Sequence, residues 1–256
     1  MLIESLQNEK IKYLTKILSK NNDRKKAGIF VVEGQQENER ALQFGYQPEE
    51  FFICESIFDE NLPNSKIYFV SEKIYEKIAY RGTTEGIIGI YKFEEKKLRD
   101  FSPEEDSSVI ILESVEKPGN LGAILRSCEA FDIDALIITN CKTDIYNPNV
   151  IRSSVGCLFG MNIFQADNQE TFEFLVKNNY KILTTFMSGY AENIQKKNLK
   201  CKSAVLFGTE HSGLSDFWKD KGENILIPMT GTIDSLNLSN AAAICCYEIL
   251  RQKLEK

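Results

Sequence analysis

The sequence predicts an α/β fold: a parallel sheet covered by helices on both faces, preceded by a smaller α/β unit. Three observations carry this. Beyond residue 108, short and wholly apolar strands alternate with helical segments, the pattern of strands buried on both faces. The crossovers between them hold small polar residues, where sheets of this kind place ligands. Between the halves, residues 94–108 form a charged run with Pro103 and no apolar period, which reads as a linker. The expected units are therefore 1–93, a linker over 94–108, and 109–256. A charged surface helix inside one continuous domain is the alternative for that run.

In the first unit, Ser5 to Ser19 places Ile11, Leu14 and Leu18 on one helix face and lysines on the other. Ile29 to Glu33 reads as a strand. A helix over Gln36 to Phe44 follows, closed by Gly45. Strands follow at Phe51–Cys54 and Ile67–Val70, and Ser71 starts a helix that runs through Ala79. Ile87 to Tyr91 is the unit's last strand. In the second unit the strands are Val109–Leu112, Ala135–Thr139, Ile182–Phe186, Ala204–Phe207 and Ile225–Ile227. Helices are expected over Leu121–Ala130, Asn147–Gly156 and Thr171–Asn178. Pro228 stops the last strand, since proline cannot donate to a ladder. Ala242, Cys245, Cys246, Ile249 and Leu250 then repeat with helical spacing, marking one buried face.

Composition narrows the function. The chain has 256 residues and a net charge of −6, which argues against bulk, non-specific nucleic-acid binding. A local basic face remains open, because residues 1–26 carry seven cations against three carboxylates. A solvated helix face accounts for the same charges. No apolar run reaches membrane-span length and no leader pattern precedes the first helix, so the cytoplasm is the expected compartment. Seven cysteines with no C-x-x-C spacing fit reduced thiols. With His211 the sole histidine, a zinc site is disfavoured.

Three polar loops carry the candidate chemistry. The first is Pro118–Arg126. Asn120 stands at the start of its helix, where it can cap or hold a ligand. Arg126 lies beside the buried stripe of Leu121, Ile124, Leu125 and Cys128, next to small residues that leave it room. The second is Leu206–Leu214, with Gly208 ending a strand. There Glu210 is a base, a brace or a plain surface carboxylate. Neither a phosphate-cradling Gly-Lys-Ser/Thr nor a dinucleotide glycine fingerprint is present. The third runs from Ile227 through Met229 to Ser235, Leu236 and Asn237. Each is weak alone, but at strand ends of one sheet they can converge.

Taken in order, Asn120…Arg126, Gly208-x-Glu210-x-x-Gly213-Leu214 and Ile227-Pro-Met…Ser235-Leu-Asn237 closely resemble the three motifs of the SpoU/TrmH family of RNA ribose 2′-O-methyltransferases, within the SPOUT superfamily. The match covers roughly residues 109–253. Residues 1–93, notably Phe30-Val-Val-Glu-Gly34, more loosely resemble the small RNA-binding domain of rRNA-type members. The resemblance implies a C-terminal trefoil knot, S-adenosyl-L-methionine as cofactor, a homodimer, and structured RNA as substrate, rRNA before tRNA. It implies Gly208, Ile227 and Leu236 as cofactor contacts. It also implies Asn120, Arg126, Glu210, Ser235 and Asn237 as the catalytic set, and no catalytic duty for His211. Glu116-Lys117 and Asp132 depart from the usual pattern, and Lys117 could alter substrate preference.

Physical chemistry fits those assignments. Methyl transfer from a sulfonium disperses positive charge, which a dry pocket lined by Ile227, Met229 and Leu236 would favour. Gly208 would let the backbone approach the adenosine. A guanidinium is a poor proton acceptor, so Arg126 is expected to orient the hydroxyl or phosphate and stabilise developing alkoxide, held by Glu210 and Asn120. Two other readings stand beside this one: a tRNA ribose methyltransferase, and a catalytically silent RNA-binding module on the same fold.

Overall fold

The computed structural model describes residues 2–79, 85–93, 95–186 and 190–255. In chain order the elements are β1 (Leu2–Ile3), α1 (Glu9–Ser19), α2 (Asn21–Ala27), β2 (Ile29–Glu33), α3 (Gln35–Gln43), β3 (Pro48–Ile53), β4 (Lys66–Val70), α4 (Glu72–Ile78) and β5 (Ile87–Lys92). There follow β6 (Ser108–Glu113), α5 (Pro118–Ala130), β7 (Ala135–Thr139), α6 (Pro148–Ser153), β8 (Asn162–Ala166) and α7 (Asn168–Lys177). The chain closes with β9 (Lys181–Thr184), β10 (Glu192–Asn193), β11 (Ser203–Phe207), β12 (Glu223–Leu226) and α8 (Leu238–Leu254). Two compact units result: Met1–Glu94 with Asp144–Gly160, and Glu95–Thr143 with Met161–Lys256.

The first unit is a five-stranded mixed sheet, ordered β1-β4-β3-β5-β2. Beta1 was not expected, because two residues carry no readable period. Beta3 and β4 run parallel, while β5 is antiparallel to both β2 and β3. Ile11, Leu14 and Ile17 of α1 are buried with the core residues Val31, Phe52 and Ile88. The segment Asp144–Gly160 belongs here, although the sequence places it in the second half. Its aromatics explain why: Tyr146 stacks on Phe30 at 4.5 Å between ring centres, and Phe159 stacks on the same ring at 5.6 Å.

The basic N-terminal face is smaller than the cation count implied. Arg24 sits in α2, a helix not expected from the sequence, and is 3% exposed. Its guanidinium donates to Asp144 and to the Ile17 carbonyl. Lys10 pairs with Glu50 at 2.8 Å, and Lys16 with Asp23 at 3.2 Å. Lys12, Lys20, Lys25 and Lys26 are left exposed, without a carboxylate partner among the described residues.

The second unit is an all-parallel seven-stranded sheet, ordered β10-β12-β9-β11-β6-β7-β8. The chain lays β7 and β8 on one side of β6. It then returns to build β9, β11 and β12 on the other. Strand order therefore reverses between β6 and β11, which makes their C-terminal ends the switch point where such sheets bind ligands. Beta6, β7 and β11 are buried along their whole length. Beta8 and β10 escaped the sequence reading: β8 alternates with Asn162 and Gln165, and β10 has two residues. The expected linker is not free chain. Glu94, its first residue, lies outside the described residues. Leu98 is 1% exposed in the second unit's core, and Phe101 packs on Phe164 at 5.2 Å.

All seven cysteines are free thiols. Five are buried, Cys141 is half-buried and Cys201 is exposed. Among the described residues, no helix is long and apolar enough to cross a membrane.

Candidate active site

Every group of the candidate site belongs to the second unit. Beta6 ends on Glu113 and β7 on Thr139. The next residues, Ser114 and Asn140, take φ of 55° and 49°, so both strands turn sharply outward. Ser114 N–H still donates to the Thr139 carbonyl at 2.8 Å, which holds the two exits side by side.

Glu113 is the anchor that sequence reading missed. It is 3% exposed. Its carboxylate accepts from Ser215 N–H at 2.7 Å, from Ser215 Oγ at 2.6 Å and from the Asn168 amide at 2.5 Å. Three donors compensate the buried charge and tie the loop after β11, and the start of α7, to the end of β6. The available signal was a carboxylate closing an otherwise apolar strand.

The loop after β11 is itself tightly closed. Thr209 and Gly213 exchange both backbone hydrogen bonds at 3.0 Å, and Gly213 has φ of 67°. This fold-back lifts Glu210, His211 and Ser212 to the tip. It also gives Gly208 a structural reason. A Cβ there would meet the Gly213 carbonyl carbon at 1.9 Å and the Leu214 nitrogen at 2.1 Å. The missing side chain thus makes room for the chain's own return. Gly208→Ala is expected to force the loop open, lowering stability by about 1–3 kcal/mol. The activity of the site should fall at least about tenfold, since Glu210 rides on that loop. Thermal melts and an activity assay together check this; an unchanged melting temperature would be the contrary result.

At the tip, Glu210 meets the start of α5. Its carboxylate accepts from Lys117 Nζ and from the Asn120 amide. Asn120 in turn accepts from the Asn237 amide at 3.3 Å. Asn237 also caps α8, its Oδ1 accepting from Ser239 N–H at 2.9 Å. Asn120 does not cap α5; its side chain bonds Glu210 and Asn237 instead, with one N–H and one lone pair of its carboxamide to spare. A continuous chain, Lys117–Glu210–Asn120–Asn237, therefore joins all three polar loops.

Two expected members stand apart. Arg126 is exposed and makes no ion pair or hydrogen bond among the described residues, so Glu210 and Asn120 do not hold it. The helix explains this. Six residues beyond Asn120, Arg126 lies about 9 Å further along the axis and roughly 120° round it. Ser235 is exposed, and its hydroxyl donates to Asp234 at 3.3 Å. Nor do the expected cofactor residues form a dry pocket: Ile227 and Leu236 are half-buried, and Met229 is 42% exposed.

Beside the chain lies a cavity of about 720 Å³, at the C-terminal ends of β6, β7 and β11. Glu210, His211 and Ser212 form one wall. Ser114 to Lys117 also line it, with exposed Asn140, Lys142 and Ser215 and buried Asn168.

A family model described as SpoU rRNA Methylase family matches residues 107–247. The chain belongs to the SpoU rRNA methylase family. A second model, the MRM3-like substrate binding domain, matches residues 8–89. The SpoU relatives include a 23S rRNA (guanosine(2553)-2′-O)-methyltransferase, RlmP of Bacillus subtilis. It is 26% identical over 253 residues, covering 96% of this chain and 98% of the relative. A solved RNA 2′-O ribose methyltransferase superposes with a TM-score of 0.86 at 32% identity, over 99% of this chain and all of the other. An AdoMet-bound rRNA methyltransferase from Sinorhizobium meliloti shares the fold, with a TM-score of 0.90 at 24% identity. The SpoU resemblance read from the three motifs therefore holds, as does the parallel sheet read from the apolar strands.

Proposed function

We propose that this chain transfers a methyl group from S-adenosyl-L-methionine to a ribose 2′-hydroxyl of structured RNA, with rRNA as the main substrate. The observation that carries the reading is the chain Lys117–Glu210–Asn120–Asn237. It gathers all three SpoU loops at the sheet's switch point, beside a cavity.

The residues fit the cofactor. Between β12 and α8, the backbone from Ile227 to Leu236 makes no backbone hydrogen bond among the described residues. Its amides and carbonyls are open to an adenine edge, and Ile227, Met229 and Leu236 offer apolar surface to a neutral ring. When bound, S-adenosyl-L-methionine supplies an electrophilic methyl group on a sulfonium. The protein's part is positioning and electrostatics. Asn120 and Asn237 orient the ribose through hydrogen bonds, fixed in turn by Glu210. Holding hydroxyl and methyl in line removes much of the barrier. Arg126, which stands apart from Asn120 and Asn237 within one chain, acts across the proposed homodimer: supplied by the second copy, it stabilises the oxygen as its proton passes to water, and Ser235 closes the site from the loop before α8.

The finer architecture follows the same reading. The first unit docks RNA through phosphate contacts from Lys12, Lys20, Lys25 and Lys26. Alpha8 exposes Ile244, Tyr247 and Leu254, at 40%, 54% and 71%, and this apolar surface suits a homodimer. The segment from β12 to α8 forms the trefoil knot, and the enzyme works in the cytoplasm.

Calorimetric titration with S-adenosyl-L-methionine, followed by transfer of labelled methyl to total rRNA and tRNA, tests the proposal. Cofactor binding with label in rRNA is expected, at alkali-resistant linkages that mark 2′-O-methylation. Absence of label from both RNA pools would sink it; label in tRNA alone would move the substrate.

A further inference from the structure

We propose that the cavity beside Glu210 receives the nucleobase of the nucleotide being methylated, and that Asn140 reads its hydrogen-bonding edge; this rests on the methyltransferase reading above. Three features point there. The first is position. A ribose held at Glu210, Asn120 and Asn237 carries its base on the carbon next to the 2′-position, only a few ångströms away. Glu210 is also a wall of the cavity, so a base splayed from its stack enters directly. The volume, about 720 Å³, lies within the range of small-molecule pockets.

The second is charge. Both lysines in the lining are already matched, Lys117 to Glu210 and Lys142 to Glu116 at 2.6 Å. Glu113 is satisfied by Ser215 and Asn168. No unmatched lysine or arginine remains among the lining residues to hold a phosphate. Asp216, also in the lining, pairs with Lys219 at 2.7 Å. What remains are uncharged hydrogen-bonding groups, which suit an uncharged heterocycle.

The third is Asn140 itself. Its carboxamide is exposed in the lining and makes no hydrogen bond among the described residues, which leaves an acceptor and a donor free. That adjacent pair complements an edge of any of the four bases. Its backbone is already braced, with the N–H donating to the Ala166 carbonyl at 3.2 Å. In the same lining, the Asn168 carboxamide oxygen is buried and likewise without a donor among the described residues.

The test uses the full chain and an RNA fragment whose methylated nucleotide has been mapped. A second fragment carries an abasic ribose at that nucleotide, with its 2′-hydroxyl intact. Two variants are compared with the parent. Asn140→Gly removes the side chain without strain at a φ of 49°. Asn140→Asp keeps the shape and removes the donor. The abasic fragment should lose at least about tenfold in kcat/KM with the parent enzyme. Each variant should lose about tenfold on the natural fragment, mostly in KM, and less than about twofold on the abasic one. Cofactor affinity should not move. Equal methylation of both fragments, or a variant whose loss is absent or the same on both, overturns the pocket. A parent enzyme that methylates no RNA overturns the function first, and the pocket with it.

Discussion

Replacing Arg126 by alanine is expected to lower methyl transfer by about 10²–10³-fold, with affinity for S-adenosyl-L-methionine kept within about twofold. The size is that of removing one charged donor aimed at an oxygen gaining negative charge. Arg126 is free for such work: it is exposed on α5, and no described carboxylate holds it. Glu210, the carboxylate expected to pair with it, is engaged by Lys117 and Asn120. Fold and stability should change little, since the side chain is exposed and makes no hydrogen bond or ion pair among the described residues. Arg126→Lys should recover only part of the rate, because an ammonium keeps the charge without the planar fork. Single-turnover transfer and a cofactor titration on the same preparations decide the matter. Near-normal turnover in the alanine variant would exclude the role.

Replacing Arg24 by alanine is expected to destabilise the first unit by about 3–5 kcal/mol, the cost of leaving a buried charge without its partner. Arg24 and Asp144 side chains are 4% and 9% exposed, so water cannot substitute for the lost guanidinium. The carbonyls of Ile17 and Leu18, which accept from the same side chain, lose their donor as well. Denaturant unfolding should show the loss directly. The double variant with Asp144→Asn should regain part of it, because the orphaned charge is gone. A loss below about 1 kcal/mol would mean that water reaches the pair. Either way, Arg24 is a structural cation and contributes nothing to an RNA-facing surface.

Particular residues mark how far the sequence could be read. Pro228, the apolar run before it and the helical spacing of Ala242, Cys245 and Ile249 placed the last strand and helix within a few residues, because steric limits and burial periodicity act locally. The apolar strands after residue 108 announced a parallel sheet for the same reason. Other features were illegible. Lys117 and Asn120 meet Glu210 across some ninety positions, and nothing near any of the three encodes the meeting. That Gly208 also has to admit the returning backbone of Gly213 could not be read from its own neighbourhood in sequence. Arg24 counted as a surface cation until Asp144 was found against it.

By itself, then, the order of residues determined the element types, the α/β class and, through three spaced motifs, the family. Those depend on local conformational preference and on side-chain chemistry at short range. Only the tertiary structure decided which polar groups share a hydrogen bond, which glycine yields to its own backbone, and that Asp144–Gly160 packs on the first unit's sheet. Such pairings arise when distant strands are brought side by side and buried charges must find partners, a requirement set by the whole packed chain.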